Sequence, residues 1–246
     1  MNQQSFESQP EIARPVAPDD VIFRINSLPD LCQFASDPTP LKHIGFTGIV
    51  ISEDIAAEGA AEIASLEQQE FAIHGGAYFG NTVDLATPNV SAEALWKEIE
   101  ASPVGSIGSG LAHKTGSIRY QAEATTLVQM TTRPVPVVPI TPQLIYSSDL
   151  REQRELLRSL VFWRKRFEIA RQAANLVHAG DDGLLIYTVD SWLVSVNQND
   201  EEVSIDLGSH GSMWLMLGTQ RDVHLHGSLL ILPPFSGAIV ANELAR

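Results

Sequence analysis

The sequence predicts an α/β portion followed by a small antiparallel β-sandwich. Three observations predict it. Strand-like and helix-like stretches alternate from Val21 to Ser52, the order of a parallel βαβ unit. A basic helix with one apolar stripe starts near Asp149. After Gly180 the apolar period switches to two, and turn residues recur at close spacing, as in a sandwich.

The elements follow in order. VIFRI (Val21 to Ile25) reads as a strand. A helical stretch and a Pro-rich break come next, then a β-rich run from Phe46 to Ile51, entered through Gly45. Ile55 to Gln69 has helical composition with acids on one side, and Phe71 to Tyr78 reads as a third strand ending in GGAYFGN. Ala92 to Glu100 reads as a short helix started by Ser91. Pro103 to Gly116 is a Gly/Ser-rich loop holding His113 and Lys114. Ser117 to Met130 reads as a strand passing into a helix or a second strand. Pro134 to Ile145 is a Pro-punctuated apolar run.

The strongest helical pattern runs from Asp149 to about Val177. Leu156, Leu157, Leu160, Val161 and Phe167 form its stripe. Arg151, Arg154, Arg158, Arg164, Lys165 and Arg166 mark the other face. That face is either solvated, pairing with acids elsewhere, or a docking surface for an acidic partner through Arg151, Arg154 and Arg158. Short strands are expected at Leu184–Val189, Trp192–Asn197, Glu202–Leu207, Met213–Leu217, Val223–Leu225, Ser228–Leu232 and Ala238–Ala241, with Asn197 to Asp200 as a hairpin-type turn. The expected division is a flexible segment over 1–19, an α/β domain over 20–178 and a sandwich over 179–246.

Composition narrows the function. Of 246 residues, 16 are Lys or Arg and 30 Asp or Glu, a formal net charge of −14. Such a chain repels phosphate backbones and anionic lipid surfaces, so neither nucleic acid nor membrane is an expected partner. The single cysteine, Cys32, makes no internal disulfide and is expected to be a small buried residue. No apolar run approaches a bilayer span, and the polar N-terminus lacks signal-peptide features, so the cytoplasm is the expected location. No cofactor or metal is called for. His224 and His226 share a strand face without a clear third ligand. Ser106, Ser109 and His113 lack an orienting acid, and the Gly spacing around Lys114 fails as a phosphate loop.

The C-terminal text carries a resemblance. After a basic helix, GLLIYTVDSWLVSVNQNDEEVSIDLG, SMWLMLGT and LLILPPFSGAIV follow in order. The succession resembles the end of α-amylase family proteins (glycoside hydrolase family 13), with strands of the form LLVVVNLSDEPVxVDL and LPPxSGAIL. The matching residues are Val194 to Asn197, Asp200, Val203 to Leu207, Leu232 to Pro234 and Gly237 to Val240. Upstream, VPITPQLIYSSD is similar to the family's eighth barrel strand, LPGTPLIYYGDE, through Thr141, Pro142, Leu144, Tyr146 and Asp149. LCQFASDPTPLKHIGFTGIVIS resembles the family's first helix and second strand.

The resemblance implies a (β/α) barrel, but the chain before the sandwich is too short for even a bare barrel of about 250 residues. A truncated or degenerate barrel-like portion is therefore expected. A retaining glycosidase also needs two carboxyl groups about 5 Å apart. The nearest text to the family's GFRxD runs from Gly116 to Ala122, where Arg119 matches the arginine and Gln121 stands in place of the nucleophile; an amide forms no glycosyl ester. The NHD and DxxxNH motifs are missing, with Gly75 to Asn81 in the latter's place.

The resemblance thus implies a non-catalytic family-like protein acting as a subunit, regulator or assembly partner. It would form homo- or hetero-oligomers, including with a full-length family enzyme. The alternative is a carbohydrate-binding or residually α-glucan-active protein. Chemistry would rest on Arg119, Asp84 and Glu123, with Asp54 a further carboxylate. Sugar stacking would fall to Trp96 and Tyr78, with Trp192 and Trp214 as further aromatics otherwise expected in the core.

Overall fold

The computed structural model describes residues 16–75, 91–101, 117–132, 135–208 and 213–242. Four short parallel strands open the fold: β1 (Ile22–Arg24), β2 (Gly48–Ile51), β3 (Ala72–Gly75) and β4 (Val137–Pro139), in the order β3-β2-β1-β4. Ile22 pairs with Gly48 on one side and Val137 on the other. The strand likened to the eighth of a barrel therefore lies beside the first. Four parallel strands with helices packed on one side make a barrel-like sector, the truncated α/β portion that the sequence predicts.

Alternation sorts the side chains of this sheet. Phe23, Ile49, Ile51 and Val138 point to the helical side, where Phe23 meets Phe34 at 5.6 Å and Phe46 at 5.1 Å between ring centroids. Ile22, Val50 and Val137 form a separate small cluster on the opposite face. Arg24, Val50 and His74 lie in one row there.

The helices α1 (Leu28–Ser36) and α2 (Thr39–Ile44) link β1 to β2. Ser27 caps α1, its Oγ accepting from the Asp30 amide at 3.3 Å. Gly45 ends α2 in the left-handed region at φ 103°, which a side chain disfavours. A Cβ there would also lie 2.9 Å from Val161 Cγ1, so the turn sits tight on a later helix. The single acidic helix expected from Ile55 to Gln69 is two helices, α3 (Glu53–Glu58) and α4 (Ala60–Gln68), broken at Gly59. Next come α5 (Ala92–Ala101), with Ser91 Oγ accepting from the Ala94 amide, and α6 (Ser117–Thr131).

The segment over α6 was expected to contain a strand, and it is helical throughout. Every residue from Ala122 to Thr132 is buried. Its threonines make this possible: Thr125, Thr126, Thr131 and Thr132 each donate to the carbonyl four residues back, at 2.7–2.8 Å. Hydroxyls satisfied inside the helix can enter a core without losing hydrogen bonds.

After β4 come α7 (Pro142–Tyr146) and the basic helix α8 (Arg151–Arg166). This helix is shorter than its apolar pattern suggested. It ends at Arg166, Glu168 takes a left-handed φ of 48°, and a 3₁₀ turn follows. The residues expected to continue the helix form strand β5 (Ala174–Ala179), held by antiparallel pairing with β6 (Leu184–Val189).

The remaining strands are β7 (Trp192–Asn197), β8 (Val203–Asp206), β9 (Met213–Gly218), β10 (His224–His226), β11 (Leu229–Leu232) and β12 (Ser236–Asn242). They form a five-stranded sheet, β5-β6-β7-β12-β9, facing a three-stranded sheet, β10-β11-β8. The hairpin-type reading of Asn197 to Asp200 is corrected: β7 and β8 belong to different sheets, so this segment is a crossover. The two-residue hairpin lies at Asp190 and Ser191, where Val189 pairs with Trp192. One face of the five-stranded sheet packs on α6. A Cβ on Gly237 of β12 would sit 2.5 Å from Leu127 Cδ2, so any larger residue would have to displace that side chain. No helix among the described residues is long and apolar enough to cross a membrane.

Candidate functional site

Helix α8 buries Leu157, Leu160, Val161 and Trp163 and leaves the other face open. Between it and the end of α2 lies a cleft of about 740 Å³, lined by His43, Gly45, Arg158, Phe162, Lys165 and Arg166 among others. Phe162 is 59% exposed, beside the cations Arg158, Lys165 and Arg166 and the apolar Ile44, Val161 and Trp163. His43, Arg158 and Arg166 are exposed around it. Lys165 closes the floor: its Nζ donates to the Gly45 carbonyl, and burial lowers its pKa against the pull of Asp20. Arg166 lies 5.9 Å over the Phe167 ring.

The basic residues of α8 divide by task. Arg164 is 1% exposed and caps the end of α6, its Nη1 donating to the Thr132 carbonyl at 2.6 Å; burial brings its pKa down to about 10. Arg154 donates to the carbonyls of Leu144, Ile145 and Ser147 at 2.9–3.1 Å and so closes α7. Arg158 and Arg151 are exposed, Arg158 beside Glu155 at 3.0 Å. Of the three arginines proposed for docking, Arg151 and Arg158 face solvent, and Arg154 is engaged by backbone.

The carboxylates meet elsewhere. Arg119 Nε donates to Glu123 Oε1 at 2.7 Å, one helical turn along α6. Arg119 also lies 3.9 Å from Glu152 of α8, which pairs with Arg221 in the turn between β9 and β10. Glu123 is 1% exposed. Its Oε2 has no hydrogen-bond partner among the described residues. Burial raises its pKa, opposed by Arg119 and aided by Glu152. The pair stands on a helix, not at the C-terminal ends of barrel strands where such folds carry chemistry. Asp54 is exposed in the first turn of α3, just past the C-terminal end of β2.

Trp96 is buried, its ring 5.4 Å from that of Tyr187 and its Nε1 donating to Glu100 at 2.8 Å. Trp192 is buried as well, whereas Trp214 is 51% exposed on β9. Tyr78, Asp84, Ser106, Ser109, His113 and Lys114 lie outside the described residues. His224 and His226 are exposed on β10, and no metal-holding cluster occurs among the described residues. Cys32, expected to be buried, is exposed on α1, its Sγ 3.7 Å from Glu62. The inward positions of that helix go to Leu31 and Phe34.

Sequence reasoning missed Phe162 and His43. The signal for Phe162 was there: a large apolar residue one position off the buried stripe, among arginines. His43 is brought to α8 only by the turn at Gly45.

The fold and site define a protein of α/β class with a four-stranded parallel sector, a β-sandwich, and a basic cleft on the last helix of the sector. No protein-family model and no curated protein matches the chain. Among solved structures it is similar to Amy13B of Eubacterium rectale (10% identity, TM-score 0.49, covering 81% of this chain and 60% of that one). It is also similar to isomaltulose synthase of Klebsiella sp. LX3 (9% identity, TM-score 0.47, 79% and 55%). A pullulanase of Paenibacillus barengoltzii is a third (10% identity, TM-score 0.49, 80% and 48%). All three are enzymes of the α-amylase family, which the sequence resembles. The chain spans at most 60% of the length of these three structures.

Proposed function

We propose that the chain is a non-catalytic, α-amylase-like assembly or regulatory subunit, connected with carbohydrate metabolism in the cytoplasm, that docks an acidic partner on the α8 cleft. The observation that carries this reading is the cleft: an open cationic surface around an exposed Phe162, in a chain of net charge −14. Aromatic and arginine side chains are the residue types that anchor protein interfaces. The sealed Glu123 supports it, because a carboxyl oxygen without solvent access cannot reach a glycosidic bond.

Fluorescence titration with poly-glutamate probes the cleft. Salt-sensitive binding that is lost on joint Arg158→Glu and Arg166→Glu substitution is expected. Equal binding by that variant would remove the docking site, and turnover of a nitrophenyl α-glucoside would overturn the non-catalytic part. A second reading, carbohydrate binding, draws on the half-exposed Trp214, since sugar rings stack on open aromatic faces. Calorimetric titration with maltose and longer α-glucans decides it: no heat with any of them ends that reading.

A further inference from the structure

We infer that the acidic partner of the α8 cleft is a second copy of the chain, presenting its helix pair α3–α4. The inference rests on the docking reading above and supplies its partner. Between Glu53 and Glu70 the sequence holds six acidic residues (Glu53, Asp54, Glu58, Glu62, Glu67, Glu70) and no lysine or arginine. All but Glu62 are exposed. None of the ion pairs found among the described residues involves them. Between these acids α4 turns Ala60, Ala61 and Ala64 outward, a surface of low relief. A flat face edged by carboxylates complements a protruding phenyl ring edged by His43, Arg158 and Arg166.

Within one copy α4 packs on α1 and α8 packs on α2. The two surfaces are neighbours there, because Lys42 of α2, next to His43 at the cleft, donates to Gln69 at the end of α4 at 3.3 Å. In the contact the cleft of one copy takes the acidic pair of another. Two copies that make both contacts at once close a pair, and copies that make one contact each leave a free cleft and a free acidic pair, which close a ring or grow a chain. Faces of opposed net charge also steer the encounter and disfavour like-charged surfaces. Their attraction falls where the Debye length shrinks to about 3 Å, near 1 M salt.

Sedimentation velocity on the full chain tests this. At low salt the mean mass is expected to rise with concentration beyond one chain, and at about 1 M salt to return to one chain. A cleft variant (Arg158→Glu with Arg166→Glu) and an acidic-pair variant (Glu58→Lys with Glu67→Lys) are each expected to stay monomeric. Mixed in equal amounts, they are expected to associate, because each then offers the surface the other lacks. All four positions are exposed, and unchanged circular dichroism confirms that the variants fold. Wild-type protein that stays monomeric at low salt overturns self-docking, and so does a mixture that fails to associate. If the wild type is monomeric yet binds poly-glutamate through the cleft, the acidic-partner reading survives and only the second copy falls. If poly-glutamate also fails to bind, both fall together.

Discussion

The parallel sheet and the five-stranded sheet solve the same problem in different ways. The parallel strands are three or four residues long and are held by partners far away in sequence: β1 pairs with β2 and with β4, whose residues begin at Val137. In the five-stranded sheet β5, β6 and β7 are six residues each and follow one another as hairpins. The apolar clusters differ too. The helical side of the parallel sheet shares one cluster with Leu185, Tyr187, Val194, Val196 and Ile239 of the sandwich. The sandwich has in addition a cluster of its own, with Leu184, Ile186, Leu230, Leu232 and Val240 between its two sheets. Beyond the shared cluster, the joint between the two regions, the sandwich thus has eight buried residues of its own between two sheets, and the sector has only the four of Ile22, Val50, Val135 and Val137.

Breaking the joint is the strongest test of that asymmetry. Trp192 meets Trp163 at 4.6 Å, edge to face, and Phe167 at 4.8 Å, which ties β7 to the end of α8. Removal of a buried aromatic of this size costs about 3–5 kcal/mol. Trp192→Ala is expected to lower global stability by that amount in urea titrations read by far-ultraviolet circular dichroism. Because the sector's own separate cluster is the smaller one, its amides in β1 and β2 should exchange with solvent faster than those of β11. A loss below about 1 kcal/mol, or equal acceleration in both regions, would show that the sector stands by itself.

The opposite change spares the joint and strikes the sandwich. Asn197 is fully buried at the crossover between its two sheets. Its Nδ2 donates to the carbonyls of Glu201 at 2.8 Å, Pro233 at 3.0 Å and Leu232 at 3.1 Å, and its Oδ1 accepts from the Asn199 amide. Asn197→Ala strands buried carbonyls and is expected to cost about 2–3 kcal/mol. Amides of β8 and β11 should lose protection while those of β1 and β2 hold theirs. Asn197→Asp keeps the size and loses the donor, so it should behave alike; a stable Asp variant would mean that the side chain only fills space.

These regions were unequally legible in the sequence, for a physical reason. Alternation over hairpins is local, so β6, β7 and the strands after them can be read from period two and turn residues. The βαβ order from Val21 to Ser52 was legible likewise. Helix α6 was not, because Thr125, Thr126, Val128, Thr131 and Thr132 have the composition of a strand. What overrides it is burial on all sides with each threonine hydroxyl returned to its own helix. Strand β5 was absorbed into the preceding helix because Leu176 and Val177 extend an apolar spacing that does not reveal its end. At the cleft, the basic run was plain, but not its division. Arg154 and Arg158 are one helical turn apart and look alike in sequence; only the carbonyls at the end of α7 set them apart.

The smallest expected effect concerns α6, the element shared by both regions. Glu123 is buried there with its charge met by Arg119 alone among the described hydrogen bonds. Burial raises its pKa, so between the unfolded value of about 4.3 and the higher folded value the native state holds more protons than the unfolded chain. Stability therefore falls as pH rises through that window: the contribution is fully present below the unfolded pKa and lost above the folded one. Glu123→Gln removes the ionisation and keeps an oxygen for Arg119. The variant is expected to be about 0.5–1 kcal/mol more stable than wild type at neutral pH, the scale of one net hydrogen bond, with the difference vanishing near pH 4. Melting temperatures of both proteins across that range check the sign. A glutamine variant that is less stable at neutral pH would mean that the ion pair with Arg119, one turn away on the same helix, outweighs burial.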